Sequence, residues 1–234
     1  GHTAPIRAAA FSPDNLQAAT GDSHGTIRLW SLSNGSGQGR VLAGGEAVTA
    51  LAYDSQGQQL LSAAADGTAR LWQLPLSEPK TLAGHSGPVR AVLLTPDGKH
   101  VVTSGADKTV RVFDAATGRQ VRALEGPSGP VTKLALSGDG ATLAAGSPSG
   151  TVRLWNLSDG KSLAALNAHT GPITGLALDA TGQQIATASQ DGTIRLWQRP
   201  AAAPQSPDEE AKPLREIAAG AGAATVAFPP DGKR

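Results

Sequence analysis

The sequence predicts an all-β fold built from five copies of one small sheet, and three observations support this. The phrase DGTIRLW at 191–197 returns as HGTIRLW at 24–30, DGTARLW at 66–72, DKTVRVF at 107–113 and SGTVRLW at 149–155. The aromatic residues that end these phrases are 42, 41, 42 and 42 positions apart, and they include all 4 tryptophans of the chain. Glycine and proline number 29 and 16, which favours short strands and tight turns. A period of this length with four strand-like runs per copy is typical of β-propeller blades.

The fifth copy shows the expected parts of a blade in chain order. Residues 172–178 (PITGLAL) alternate polar and apolar side chains, as a half-buried strand does. Residues 184–189 and 193–198 supply a second and a third strand, and 214–219 supply the fourth. The Asp-Gly pair between the second and third strands provides the backbone conformations that tight hairpins need.

The repeat divides the chain into five complete blades and the beginning of a sixth. The predicted blades are 1–43, 44–83, 84–125, 126–167 and 168–219, followed by a partial blade at 220–234. Within the fifth blade, residues 199–213 are rich in proline, alanine and acidic side chains. This composition predicts a disordered loop, and a linear docking segment is the alternative.

Three features recur in register with the aromatic positions. A histidine, preceded by glycine in copies one and three, stands before the first strand. Short turns such as SPDN, TPDG, SGDG and ATGQ follow that strand, and the tryptophan ends the third strand. With these features, residues 1–219 resemble the WD-repeat family, in an Ala-rich form like that of bacterial arrays. The Trp-Asp dipeptide of the family is eroded here to Trp-Ser, Trp-Gln, Phe-Asp, Trp-Asn and Trp-Gln.

The resemblance also bears on how many blades are present. Propellers of this family close with seven blades, which at about 42 residues each requires roughly 290 residues. The chain has 234 residues, and 223–234 supply only the first strand of blade six and part of its turn. We therefore expect an open, incomplete ring from an array that continues at both ends, with uncovered faces on its terminal blades.

The resemblance implies a hydrogen-bond relay inside each blade. It joins the histidine, a Ser or Thr of the second strand, an Asp in the following turn and the tryptophan. A buried histidine needs partners for both ring nitrogens, which such a set provides. The matching residues are His2, Thr20 and Trp30 in blade one; Ser62, Asp66 and Trp72 in blade two; His85, Thr103 and Asp107 in blade three; and His169, Thr187, Asp191 and Trp197 in blade five.

Only the fifth relay is complete by this reading. His24 takes the Asp position of blade one, Gly45 the His position of blade two, and Phe113 the Trp position of blade three. Blade four has Pro127, Ala145 and Ser149 at three of the four positions. A half-satisfied buried network is worse than none, so this joint loss is what a structural relay predicts.

Two chemical alternatives compete with the structural reading of the relay. A His/Asp/Thr set resembles a catalytic triad, but an enzyme needs one concave site rather than several equivalent buried ones. A zinc site needs closely spaced ligands, whereas three of the 5 histidines belong to separate blades. We therefore predict no catalytic residue, metal or cofactor.

One arginine recurs on the third strand of every copy. These residues are Arg28, Arg70, Arg111, Arg153 and Arg195. They could form a basic stripe for nucleic acid. Because they alternate with core residues, the favoured reading is that their stems pack between neighbouring blades.

Composition narrows the classes of partner. The net charge is +1, so a polyanion or an anionic membrane is not indicated. Cysteine is absent, which excludes disulfides and leaves the compartment open. No apolar run approaches the roughly 18 residues of a membrane span. We expect a soluble protein, with the cytoplasm slightly favoured over export, and no nucleic acid, membrane or small-molecule substrate as partner.

The resemblance also assigns an exposed face to the end of the blades at which the first strands begin, here called the top face. Its positions are Pro5, Arg7 and Ser23; Ala47, Thr49 and Ala65; Pro88, Arg90 and Ala106; Pro130, Thr132 and Pro148; and Pro172, Thr174 and Gln190. The expected partner-binding side chains among them are Arg7, Ser23, Thr49, Arg90, Thr132, Thr174 and Gln190. Strong interface centres favour aromatic residues and arginine, so Arg7 and Arg90 are the candidate anchors. A partner on this face is expected to be acidic or weakly held.

Two functions follow from these expectations. The first is a non-catalytic scaffold that holds other proteins. The second is the sensory or docking region of a larger bacterial enzyme, a protein kinase or a cytochrome-like protein, whose catalytic domain lies outside this chain. The open reading frame on either side of residues 1 and 234 would separate them.

Overall fold

The computed structural model describes residues 1–33, 40–43, 45–74, 78–126, 128–200, 212–220 and 225–228. Across these residues the chain forms strands β1 to β20 and no helix. The strands group into five antiparallel sheets of four consecutive strands each, which we call blades one to five. The prediction of an all-β fold with five complete blades is confirmed.

The blades have closely similar strand lengths. Blade one contains β1 (Ile6–Phe11), β2 (Gln17–Asp22), β3 (Thr26–Ser31) and β4 (Arg40–Ala43). Blade two contains β5 (Val48–Tyr53), β6 (Gln59–Ala64), β7 (Ala69–Gln73) and β8 (Lys80–Leu82). Blade three contains β9 (Val89–Leu94), β10 (His100–Gly105), β11 (Thr109–Asp114) and β12 (Gln120–Glu125). Blade four contains β13 (Lys133–Leu136), β14 (Thr142–Gly146), β15 (Thr151–Asn156) and β16 (Ser162–Asn167). Blade five contains β17 (Ile173–Leu178), β18 (Gln184–Ser189), β19 (Thr193–Gln198) and β20 (Arg215–Ala218).

The glycine of the repeated phrase is required by both its backbone and its surroundings. Gly25, Gly67 and Gly150 have φ values of +79°, +82° and +80°, which side-chain-bearing residues rarely adopt. A Cβ atom on Gly67 would lie 2.9 Å from the carbonyl oxygen of His85 in the next blade. A Cβ on Gly25 or Gly150 would meet the carbonyl of Gly45 or His169 even more closely. The phrase therefore recurs partly because each turn touches the loop that opens the following blade.

The chain forms two compact units, Gly1–Ala123 and Leu124–Arg234. In the first unit, blades one and two enclose a core of Ala19, Ile27, Leu42, Val48, Leu60 and Trp72. Blades two and three enclose a second core, which includes Leu61, Leu71, Leu82, Val89, Val101 and Phe113. In the second unit, blades four and five enclose Val152, Leu154, Leu166, Ile173, Ile185 and Trp197, among others. In all three cores, the third-strand aromatic residue packs against the preceding blade.

Two predicted segments are described only in part. Residues 225–228 of the partial sixth blade have no strand assignment. The backbone of Thr225 and Val226 lies beside Gly175 of β17, at 2.8–3.0 Å from where a Cβ atom of that glycine would stand. Most of the inserted segment 199–213 lies outside the described residues. The blade bounds given above stay predictions.

No helix of membrane-spanning length and hydrophobicity occurs in the part of the chain that the structure describes.

Candidate functional site

Blade five joins its four predicted relay residues in one chain of hydrogen bonds. Nε1 of Trp197 donates to Oγ1 of Thr187 at 2.9 Å. The Thr187 hydroxyl lies 2.7 Å from Nε2 of His169, and Nδ1 of His169 lies 3.0 Å from the Asp191 carboxylate. Thr187, Trp197 and His169 are 0%, 2% and 6% exposed. With the proton on Nδ1 of a neutral imidazole, every donor in this chain meets an acceptor.

Asp191 also forms hydrogen bonds with two loops at this end of the blade, the loop that precedes β17 and the turn that precedes β19. Its carboxylate accepts the backbone N–H groups of Thr170 and Thr193 at 3.2 and 3.0 Å, and the Thr193 hydroxyl at 2.7 Å. Burial raises the pKa of Asp191, but hydrogen bonds from Thr193 and His169 outweigh it and hold the pKa below its usual value. Burial lowers the pKa of His169 more than Asp191 raises it. The pair is thus a carboxylate with a neutral imidazole.

Blade three has the same histidine, threonine and aspartate contacts as blade five, but it lacks the tryptophan. Nδ1 of His85 lies 2.9 Å from the Asp107 carboxylate, and Nε2 lies 2.8 Å from the Thr103 hydroxyl. Burial raises the pKa of Asp107, yet hydrogen bonds from His85 and from neighbouring N–H and hydroxyl groups lower it to about 2. Burial lowers the pKa of His85 as well. Phe113, 1% exposed, fills the tryptophan position without an N–H.

Blade one has a complete relay that sequence reasoning missed. Nδ1 of His2 lies 2.7 Å from Asp22, and Nε2 lies 2.7 Å from the Thr20 hydroxyl, which also accepts Nε1 of Trp30 at 2.7 Å. Asp22 stands two positions before His24, the residue at the expected Asp position, and its side chain is 1% exposed. It accepts the backbone N–H groups of His24 and Thr26 at 2.9 Å. The carboxylate has moved along the turn, and His24 itself is exposed.

Blade two replaces its missing histidine with an arginine. Trp72 donates to Ser62 at 2.9 Å, as the relay predicts. A Cβ atom on Gly45 would stand 2.6 Å from a guanidinium nitrogen of Arg70 and 2.8 Å from Asp66. The Arg70 guanidinium lies 3.4 Å from the Asp66 carboxylate and donates to Thr68 at 2.9 Å. The absent side chain at Gly45 thus leaves room for the Arg70 head group to pair with the turn carboxylate.

Blade four has a cluster of hydroxyl groups instead of the relay. Oγ of Ser147 lies 2.6 Å from Oγ of Ser149 and 2.9 Å from Oγ1 of Thr151. Ser149 and Thr151 are 3.0 Å apart. Ala145, at the threonine position, is fully buried and offers no hydroxyl. Pro127, at the histidine position, lies outside the described residues.

Two of the recurring third-strand arginines, Arg153 and Arg195, bond to the loop that opens their own blade. Nη1 of Arg195 donates to the carbonyl of Ala168 at 2.6 Å, immediately before His169. Nη1 of Arg153 donates to the carbonyl of Gly126 at 3.3 Å, and its guanidinium carbon lies 5.8 Å from the centre of the Trp155 ring. All five arginines are half-buried. For Arg153 and Arg195 these contacts lie inside the fold. That the stems of all five pack between neighbouring blades stays a prediction.

The predicted top-face positions lie together at one end of each blade. The same backbone hydrogen bond recurs there, from Ser23 to Pro5, Ala65 to Ala47, Ala106 to Pro88 and Gln190 to Pro172, at 2.9–3.0 Å. Arg7, Arg90 and Gln190 are exposed, whereas Ser23, Thr49, Thr132 and Thr174 are half-buried. The Thr49 hydroxyl donates to the carbonyl of Val89 in the next blade at 2.5 Å, so it links two blades. Arg7 and Arg90 are therefore the charged side chains that this set presents to solvent.

In the described ranges, no group of three or more His, Cys, Asp or Glu side chains could hold a metal ion. In blades one, three and five, both ring nitrogens of the buried histidine instead form hydrogen bonds within the same blade. This arrangement repeats rather than converging on one site.

A family model, "WD domain, G-beta repeat", matches residues 1–31, 38–73, 77–114, 118–156 and 160–198. These ranges cover most of the chain. The chain belongs to the WD-repeat family. Each matched range ends at the last residue of a third strand, one position after the recurring aromatic.

Several curated relatives align with about half of the chain. The chain is 34% identical over 112 residues to WD repeat-containing protein SL1-17 of Schistosoma mansoni, which covers 48% of this chain and 37% of that protein. It is 30% identical over 132 residues to mouse F-box-like/WD repeat-containing protein TBL1X, which covers 50% and 25%. It is 29% identical over 121 residues to human Angio-associated migratory cell protein, which covers 52% and 27%. The aligned part thus spans little more than a third of these relatives at most. All three are eukaryotic, so the bacterial type stays a prediction.

Proposed function

We propose that this WD-repeat chain is a non-catalytic scaffold that holds other proteins on its top face. One observation carries the proposal: the His, Asp and Thr groups that could do chemistry are bonded to one another inside blades one, three and five. WD-repeat proteins generally bind other proteins and are generally non-catalytic. What remains for recognition is the exposed end of the blades.

The chemistry of that end favours an acidic, extended protein segment. Arg7 and Arg90 are exposed there, and arginine pairs with carboxylates through two parallel hydrogen bonds. Their neighbours in the set are small or uncharged, so the arginines supply the specific contacts. A net charge of only +1 makes nonspecific attraction to nucleic acid or to an anionic membrane weak.

A peptide-display selection tests the proposal. The unmodified chain should enrich acidic peptides, and Arg7→Glu with Arg90→Glu should abolish that enrichment by reversing both charges. Lys99→Glu with Arg119→Glu is the matched control. It makes the same change in charge, in the turns at the opposite end of blade three, and should retain binding. Equal loss in both double variants, or no enrichment by the unmodified chain, would contradict the proposal.

We also propose that the protein is bacterial and cytoplasmic, and that neither nucleic acid nor a membrane is its partner. Measuring retention on heparin and on anionic vesicles at physiological salt checks the last two, and tight binding to either would oppose them.

A further inference from the structure

The loop that opens blade two differs from the loops that open the other four blades. In those blades, two residues separate the histidine position from the proline of the top face: Thr3 and Ala4, Ser86 and Gly87, Ser128 and Gly129, and Thr170 and Gly171. None of these residues is acidic. Blade two has one residue there, Glu46, between Gly45 and Ala47. Since the other blades form without a carboxylate at this place, the fold does not require Glu46, and it is a candidate for recognition.

Glu46 lies at the top end of the blades and is exposed. Its carbonyl oxygen would stand 2.8 Å from a Cβ atom on Gly25, in the turn of blade one. The carbonyl of the next residue, Ala47, accepts the N–H of Ala65 at 3.0 Å, in the turn of blade two. Within the described ranges, Glu46 takes part in no ion pair.

A second exposed carboxylate at this end of blade two, Asp66, is already paired. The Arg70 guanidinium lies 3.4 Å from it, and the Thr68 N–H and hydroxyl donate to it at 2.9 and 2.6 Å. Of these two carboxylates, Glu46 is therefore the one whose charge is left for a partner.

Arginines stand on the blades on either side of Glu46. Arg7 of β1 and Arg90 of β9 occupy equivalent positions at the starts of their strands, and both are exposed. Neither belongs to an ion pair in the part of the chain that the structure describes. Blades one to three all lie in the unit Gly1–Ala123. Taken in the order of its blades, this unit therefore presents a positive, a negative and a positive side chain.

The backbone fixes how far Glu46 can lie from Arg90. Thr49 follows Glu46 by three residues, which span at most about 11 Å. The Thr49 hydroxyl donates to the carbonyl of Val89, the residue directly before Arg90. An extended segment advances about 3.3 Å per residue, so one such segment can reach both side chains with charges about three to five residues apart.

We propose that the partner segment on blades one to three carries its charges in the order acidic, basic, acidic. This inference rests on the proposed function and adds to it a basic residue that pairs with Glu46, between the carboxylates that pair with Arg7 and Arg90. An entirely acidic segment would place a carboxylate beside Glu46, and juxtaposed like charges are unfavourable. Glu46 would thus select among acidic partners by repelling the wrong ones.

Three synthetic peptides of equal length test the order of the charges. The first has a lysine midway between two glutamates, the second has the same composition with the lysine moved to one end, and the third has a glutamate in place of the central lysine. Fluorescence anisotropy at physiological salt gives their dissociation constants for the unmodified chain. The first peptide should bind about tenfold more tightly than the second or the third, and equal affinities would overturn the inference.

Charge reversal at Glu46 tests whether this residue reads the central position. Glu46→Lys should bind the third peptide more tightly than the first, which reverses the preference of the unmodified chain. Glu78→Lys is the matched control. Glu78 is also exposed in blade two, in the loop before β8 at the opposite end, so this variant should keep the original order.

The outcomes separate this inference from the proposed function. If the peptides bind through Arg7 and Arg90 but the place of the lysine has no effect, or if Glu46→Lys keeps the original order, the inference is wrong and the proposed function stands. If none of the three peptides binds the unmodified chain, both are contradicted.

Discussion

Blades four and five each consist of four antiparallel strands, but the polar groups at their top ends form different hydrogen bonds. Blade five runs one hydrogen-bond chain from Trp197 to the Asp191 carboxylate. Blade four has only the hydroxyl cluster of Ser147, Ser149 and Thr151. Trp155 and Trp197 are each 2% exposed, so burial of the tryptophan does not depend on the relay. The relay is therefore replaceable: blade four buries its tryptophan without it, and blades two and three keep only part of it.

Removing the turn residue of each blade should give the largest difference between them. Asp191→Ala leaves His169 Nδ1 and two backbone N–H groups without their acceptor, which should cost about 1–3 kcal/mol of unfolding free energy. Ser149→Ala removes one partly exposed hydroxyl and should cost less than about 0.5 kcal/mol. Both residues lie in the unit Leu124–Arg234, so urea melts compare them within one unit. Equal midpoints would contradict the assignment.

Acid should destabilise blades three and five, which bury His85 and His169, and should not act in this way on blade four. Folding lowers the pKa of His85 and His169, so the unfolded chain takes up these protons first as the pH falls through its ordinary value near 6.5. Stability that is present above that pH is lost below it, with a slope of up to about 1.4 kcal/mol per pH unit for each histidine. Urea melts from pH 7.5 to 5 should show the loss. His169→Gln should make the slope shallower, and an unchanged slope would refute the linkage.

The tryptophan N–H should contribute to the unfolding free energy in blade five and not in blade four. Trp197→Phe removes the hydrogen bond to Thr187. Blade four has Ala145, which has no hydroxyl, at the threonine position, so Trp155→Phe removes no such bond. Because the two substitutions remove the same atoms from equally buried sites, their difference isolates the bond. We expect Trp197→Phe to be more destabilising by about 1 kcal/mol in thermal or urea melts. Equal destabilisation by the two variants, or the reverse order, would mean that the bond contributes nothing.

The smallest expected effect concerns the turn after the second strand. Gly192 of blade five has a φ of 86°, and its counterpart in blade three is Lys108, with a φ of 66°. A side chain in this region costs about 1 kcal/mol, so Lys108→Gly should raise the unfolding free energy by up to that amount. Lys108→Ala keeps the strain and serves as the control. Equal stability of the two variants would show that the backbone is not strained there.

The strands of blade five were predictable because its turn residues and alternation recur at a fixed period. The predicted second and third strands, 184–189 and 193–198, coincide with β18 and β19. The predicted first strand, 172–178, begins one residue before β17, since Pro172 has no N–H to pair.

The relay was less predictable where its chemistry had moved along the chain. Asp22 stands outside the expected Asp position, and a column-by-column comparison of the repeats cannot see that a carboxylate two residues earlier reaches the same imidazole. An arginine stands at the position of Arg70 in every copy, so the sequence does not indicate that Arg70 has a special role. The structure shows that its guanidinium pairs with Asp66 in the space above Gly45. Such substitutions depend on the reach of side chains in space.

The protonation of His169 tests the account of the relay most directly. The chain from Trp197 through Thr187 requires Nε2 to accept a hydrogen bond and Nδ1 to donate one to Asp191. Nitrogen-15 NMR of the imidazole rings near neutral pH should therefore show His169 and His85 as neutral Nδ1–H tautomers. A dominant Nε2–H tautomer, or an imidazolium at that pH, would contradict the relay as the device that holds these blades.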